Sequence, residues 1–433
     1  MSRQTILEIF LRGALVWAIA AAPLHAVEVA EAADGPAEAG AAARELAARG
    51  TVVAPQWHGF PVRLPRVVIS TDMRIGDPAI SYKDPEYLID ERLVTWQDGL
   101  NQVWLCRFDP RTGDMMPPDG RGLLLAQGAA PLLPADDPFV KTTINGPEFG
   151  VSRRGIGVYF CYGSDPANYQ VARVGLSDLA FEVLVPGLTN GTRGALATLN
   201  RRDPIGRVLH GRLQTLPDGT VGVVAEWFEE DDPESVQPFP RSTFGSSGPH
   251  WIPGERAIAS NLFDEAGIPQ VVRFDIDSGR TTFLTSGPYP KVDTIFFEPP
   301  EFPGEQLFLC LVNDGQFIGV YRRQGLLWTC IQRIFAPDAF RYETPPTVSS
   351  AEPVFYRGRT YFTFAVGYDD NSSRIALASL DGEINALISV PGPLRQIDPE
   401  GVAVGDLLFV TYWTAANAER VNELHRCTVQ ILR

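Results

Sequence analysis

Only five cysteines occur in the 433 residues, and none forms a Cys-x-x-Cys pair. That spacing argues against a structural zinc site. Cys106, Cys161, Cys310, Cys330 and Cys427 all fall in apolar, strand-like runs. They read as buried thiols that behave as small hydrophobes, with a single disulfide as the alternative if the chain is exported. Positive charge is scarce as well. Lys and Arg number 37 against 52 Asp and Glu, a formal net charge of −15. The basic footprint of a nucleic-acid binder is absent, so nucleic acid is not expected as a partner. The acidity by itself needs no reason beyond solubility. The chain also lacks a phosphate-binding loop, a nucleophile-elbow serine and a dinucleotide fingerprint. Gly155-Ile156-Gly157 has neither the third glycine nor the following helix.

Long apolar runs are missing except near the start. Ala14–Leu24 is apolar, with Arg3 and Arg12 upstream and Ala26 just beyond. It is short for a membrane span and has the form of a secretory signal over residues 1–26, an uncleaved anchor being the alternative. No cysteine follows the run directly, so no lipid anchor is indicated. Residues 27–62 form an Ala/Glu-rich leader of low hydrophobic bulk, expected to lie outside the fold. The protein is expected to be secreted or periplasmic, monomeric, and without a membrane span once the signal is removed.

Turn and strand chemistry is abundant. Forty glycines and thirty-six prolines punctuate short β-rich runs. The clearest unit is Gly248–Thr285. It predicts strands at Pro249–Ile252, Arg256–Asn261, Gln270–Asp275 and Arg280–Thr285, with a turn at Asp277-Ser278-Gly279. A signature recurs about every 50 residues, the period of propeller blades. It is a proline flanked by small or acidic residues and followed by an apolar one. The copies are Gly76–Ile80, Asn145–Phe149, Ser247–Trp251, Pro299–Phe302, Ala351–Phe355 and Asp398–Val402, and a degenerate copy at Thr192–Leu199 fills the one double interval.

The pattern predicts an all-β protein, a single β-propeller over residues 63–433 with seven blades. Six blades are the runner-up, because the third copy has an acidic, Pro-rich loop at Glu229–Pro240 where a fourth strand is due. The last copy also lacks a fourth strand. Arg66–Ser70 has no partner of its own, and pairing it with the last blade would close the ring and remove an exposed edge.

The unit GPHWIPGERAIAS followed by QVVRFDIDSGRTTFLT resembles the WD40-like repeat of TolB-type β-propellers. The resemblance implies the fold. Members of that superfamily serve as protein-binding, sugar-binding and hydrolytic domains, so it does not choose among functions. The run Glu352–Phe364 and Asp77-Pro78 also have a passing likeness to sugar-cleaving five-bladed propellers, whose module count differs.

In a propeller the first strand of each blade lines a central channel. The residues beside the signature prolines would then converge at one mouth: Asp77, Glu148, His250, Glu301, Glu352, Asp398 and Glu400. Crowded carboxylates raise one another's pKa and suit acid–base work. The catalytic candidates are Glu148, Glu301, Glu352 and His250. Ligand-binding candidates are Asp77, Glu148, His250, Trp251, Glu301, Glu352 and Glu400, with Trp251 as a stacking platform. No metal site or cofactor is expected, though hard oxygen donors of this kind would favour Ca²⁺. The competing reading is that acidic residues beside proline cap turns, and that a lone histidine is structural. Two functions follow. One is a binding or scaffolding propeller for a protein or carbohydrate ligand at the channel mouth. The other is a carbohydrate-active hydrolase or lyase using paired carboxylates about 5–10 Å apart.

Overall fold

The computed structural model describes residues 66–130, 146–164, 170–185, 198–199, 207–215, 221–238, 250–415 and 422–432. All lie within the unit Pro65–Arg433. The signal segment, the leader and most of the degenerate signature at 192–199 fall outside the described residues. Among those described, no helix is long and apolar enough to cross a membrane.

The fold is an all-β propeller built from antiparallel sheets in chain order. Sheet I comprises Tyr82–Leu88, Leu93–Asp98 and Gln102–Phe108, with Met115–Met116 and Leu123–Gln127 both on the outer side. Sheet II is Glu148–Ser152, Gly155–Tyr162, Gln170–Gly175 and Phe181–Val185. Sheet III is Thr198–Leu199, Arg207–Thr215, Val221–Glu229 and Asp232–Pro238. Sheet IV is His250–Trp251, Ala257–Phe263, Pro269–Asp275 and Arg280–Phe283. Sheet V is Lys291–Phe297, Leu307–Val312, Phe317–Gln324 and Leu327–Phe335. Sheet VI is Thr347–Tyr356, Arg359–Gly367, Ser373–Ser379 and Asn385–Leu387. Sheet VII is Arg395–Val404, Leu407–Ala415 and Leu424–Leu432, with Val67–Ile75 added at its outer edge. Six of these sheets are described with nearly all their side chains and make a six-blade arrangement. Sheet III, whose side chains are described only in part, is the member on which a count of seven rests.

The sheets are sandwiched between neighbours, which is why their middle strands read as continuous apolar runs. In sheet V all six residues of Leu307–Val312 are buried. Leu309 and Val320 pack on Phe362 and Phe364 of sheet VI. Tyr361 and Leu377 of sheet VI meet Val410 and Tyr412 of sheet VII. Phe409 and Trp413 of sheet VII meet Trp96 and Phe108 of sheet I. Between sheets II and III the described link is ionic. The Arg173 Nε lies 2.7 Å from Glu230 Oε1, and the Tyr159 hydroxyl donates to the same oxygen at 2.7 Å. Burying such a pair is tolerable only while both partners are present.

Closure is made by the N-terminal strand. Val67–Ile75 pairs antiparallel with Leu424–Leu432 from Val67↔Leu432 through Ile75↔Leu424. It runs five residues past the predicted Arg66–Ser70. Two expectations need correction. The stretch expected as a loop at 229–240 contains an edge strand, Asp232–Pro238, paired with Val221–Glu229. Proline is tolerated at an edge, where its missing N–H is not needed. The inner strands of sheets I and V do not begin at the signatures of Pro78 and Pro299. They are Tyr82–Leu88 and Lys291–Phe297. None of the five cysteines forms a disulfide, and four of them are buried, with Cys330 half-buried. Burial pushes the Cys106 thiol up to about 12 and raises Cys310 and Cys427 as well.

Deleting residues 1–75 should expose the edge of Leu424–Leu432, lowering the melting temperature and promoting association. Thermal melts with size-exclusion chromatography check this. Arg173→Ala, which strands the Glu230 carboxylate, should cost about 3–5 kcal/mol in urea unfolding.

Candidate functional site

Four inner strands share one device. In sheets I, V, VI and VII the ladder slips between Lys83 and Glu86, between Val292 and Ile295, between Ser349 and Glu352, and between Ile397 and Glu400. Each slip begins at a residue with left-handed backbone: Asp84 at φ 49°, Asp293 at 58°, Ser350 at 48° and Asp398 at 57°. Asp is among the non-glycine residues that tolerate this region best, and such a bulge re-aims the side chains that follow.

In three of these strands a glutamate comes two residues later. Glu86, Glu352 and Glu400 stand opposite Thr95, Thr363 and Thr411 of their second strands. Glu148 occupies the same place opposite Tyr159, and His250 opposite Ala259. Equal register on the inner strand puts all five on the same face of the ring. The threonines lock the geometry between sheets. Thr411 Oγ1 lies 2.9 Å from the Tyr87 hydroxyl, and Thr363 Oγ1 donates to the Pro399 carbonyl at 3.0 Å.

The electrostatics show that these groups face one another. Each keeps some accessible surface yet sits deep between the sheets, as a side chain lining an internal channel does. Burial raises the Glu86 carboxyl well above its usual range, and Glu148, Glu400, Asp84 and Asp398 push it further. Burial, then Glu352, Asp398, Glu148 and Asp84, raise Glu400. Glu352 is pushed up to about 8 by burial and by Asp398, Asp293 and Glu148. Asp84 is raised by burial and by Asp398, to which it is hydrogen-bonded, while the Gly146 N–H opposes the rise. A hydrogen bond between two carboxyls requires a proton on one of them. Asp398 also accepts from Trp413 Nε1 at 3.1 Å. Burial lowers His250, against the pull of Asp293. The arrangement can therefore present protonated and ionised carboxyls side by side. Among the described residues, no three His, Cys, Asp or Glu side chains are arranged to hold a metal ion.

The structure thus brings Glu148, His250, Glu352, Asp398 and Glu400 together and leaves three sequence candidates elsewhere. Asp77 caps a turn before sheet I, its Oδ1 accepting from the Ala79 N–H at 2.8 Å. Glu301 lies in the hairpin after the inner strand of sheet V. Its carboxylate accepts from the Thr360 N–H at 2.6 Å and from its hydroxyl at 2.7 Å, tying sheet V to sheet VI. Trp251 points away from His250, into a core with Ile258, Leu262 and Val272. Asp84, Glu86 and Asp293 were missed. The signal was present: Asp84-Pro85-Glu86 repeats Asp398-Pro399-Glu400 residue for residue.

No family model matches the chain, and no curated protein does. Solved structures do. The chain is similar to an oligogalacturonate lyase in complex with manganese, with a TM-score of 0.55 at 9% identity, over 85% of this chain and 97% of that one. What the two share is the fold. A prolyl endopeptidase gives a TM-score of 0.49 at 11% identity, over 81% of this chain but 50% of the other.

A carboxyl whose folded pKa is raised stabilises the fold below its unfolded value and loses that contribution as pH rises through the folded one. For Glu352 the window runs from 4.5 to about 8. The protein should lose stability across it, and Glu352→Gln should flatten the decline in melts recorded at stepped pH.

Proposed function

We propose that the protein is an exported ligand-binding propeller that takes a carbohydrate segment at the carboxyl-lined part of its channel. The observation that carries this reading is the convergence of Glu86, Glu148, Glu352 and Glu400 at one register, with a raised pKa on three of them. Protonated carboxyls donate, ionised ones accept, and a sugar hydroxyl does both. His250 adds a neutral imidazole at the same level, and Asp84, Asp293 and Asp398 stand beside the ring. A neutral glycan suits this site better than a polyuronate, whose own carboxylates would meet the ring's charge. The calcium ion considered from the sequence would have to draw its oxygens from several strands at once. The unit Gly248–Thr285 supports a further reading, that the repeats are of the TolB type.

A second reading is a carbohydrate-active hydrolase or lyase. It is favoured by Glu352, whose carboxyl is pushed up to about 8 and so keeps its proton at neutral pH, with Asp398, Asp293 and Glu148 close enough to act on it. Glycoside cleavage uses such a division of roles. The neighbouring lyase fold lends this reading no more than its architecture.

Calorimetric titration with neutral oligosaccharides and an oligogalacturonate, combined with a product assay, tests both. Binding of a neutral glycan without turnover, weakened at least tenfold in Glu400→Gln, is the expected result. Turnover lost by about 10²-fold or more in Glu352→Gln or Glu400→Gln would establish the enzyme instead. Failure of every glycan to bind would overturn both readings.

A further inference from the structure

The closing strand carries one titratable device apart from the channel. His425, on the Leu424–Leu432 strand of sheet VII, stacks on Tyr412 with ring centroids 5.1 Å apart. Its Nε2 lies 3.0 Å from Glu423 Oε2, and its Nδ1 lies 3.5 Å from Asp72 Oδ1. Asp72 belongs to the N-terminal strand, and its other oxygen accepts from the Tyr412 hydroxyl at 2.8 Å and from the Val390 N–H at 2.8 Å. Arg74, two residues along the same strand, reaches Glu423 at 2.8 Å.

A neutral imidazole has one N–H and one lone pair. With a carboxylate at each nitrogen, neutral His425 would turn its lone pair on an anion, whichever tautomer it took. The doubly protonated ring satisfies both. We propose that protonated His425 staples the N-terminal strand to sheet VII, and that loss of its proton loosens the closure of the propeller.

The surroundings agree with this assignment. Burial alone would lower His425, yet the two carboxylates of Asp72 and Glu423 outweigh it, so the group is raised above 6.5. Arg74, opposite His425 in the ladder, is a permanent cation held on Glu423, and the other ionisable groups near it, Tyr412 and Cys427, are both raised by burial and then by Asp72, and so neutral across the range concerned. Arg426 on the same strand pairs away from it, with Asp114. A histidine with a raised folded pKa contributes fully below its unfolded value, 6.5, and ceases to contribute as pH rises through the folded one. The channel carboxyls weaken the fold in the same direction, so the test needs a local reading.

Amide hydrogen exchange, corrected for intrinsic rates, is followed in Val67–Ile75 and, as reference, in Phe317–Gln324 of sheet V. Protection of the closing strand should fall by about tenfold or more relative to the reference between pH 6 and pH 9, the worth of one hydrogen bond to a charged group. His425→Gln should hold protection low at both ends of the range. Glu423→Gln, which leaves the Asp72 contact intact, should move the midpoint to lower pH and keeps the test open if His425→Gln does not fold. Equal protection of the closing strand at both pH values, or the same pH dependence in His425→Gln, or an unmoved midpoint in Glu423→Gln, would overturn the proposal.

Discussion

Everything in this molecule depends on a ladder between its two ends. Val67–Ile75 fills the outer edge of a sheet whose other strands come from the last forty residues of the chain. A ring of sheets has no independent layers. Each sheet has an apolar face only because a neighbour covers it, and the neighbour of sheet VII is sheet I. The ladder is reinforced from the side, since Arg66 reaches Glu383 Oε2 at 2.8 Å in the turn of sheet VI and Asp72 holds the Val390 N–H. These contacts span most of the sequence, so they cost the most chain entropy to make.

The channel site is costly in the opposite sense. Carboxyls gathered away from bulk water favour neither full ionisation nor a relaxed backbone, and the left-handed Asp84, Asp293 and Asp398 add their own cost. Such features persist where the surrounding fold over-determines them. Here the surrounding fold is the register itself, with Thr95, Thr363 and Thr411 repeated behind three of the glutamates.

The sequence shows the architecture because turns and strands announce themselves locally. The inner register of sheets II, IV and VII was legible from Glu148, His250 and Glu400, each of which follows a signature proline, whereas Glu352 of sheet VI precedes its own, Pro353. Sheet I misled because Gly76-Asp77-Pro78 carries the same punctuation one short segment before Asp84-Pro85-Glu86. Sheet V misled for a different reason. Its inner strand has Asp293-Thr294 and no proline, while Pro299-Pro300-Glu301 sits in the next hairpin. Asp77 is a real turn cap, which uses the same residue type for a local hydrogen bond that the ring uses for a long-range one, whereas Glu301 is taken up by Thr360 of sheet VI. Nothing local marks Asp72 and His425 as partners, because they meet only when the ends of the chain do.

The cysteines carry a consequence of another kind. A thiol must ionise to attack a disulfide or be captured by one, and Cys106, Cys310 and Cys427 are held against ionisation by burial. Cys330 turns its sulfur to the carbonyl of Gln332 at 3.2 Å. With no bridge between its cysteines, the fold is held by packing and strand pairing alone and has no disulfide to lose to a reductant.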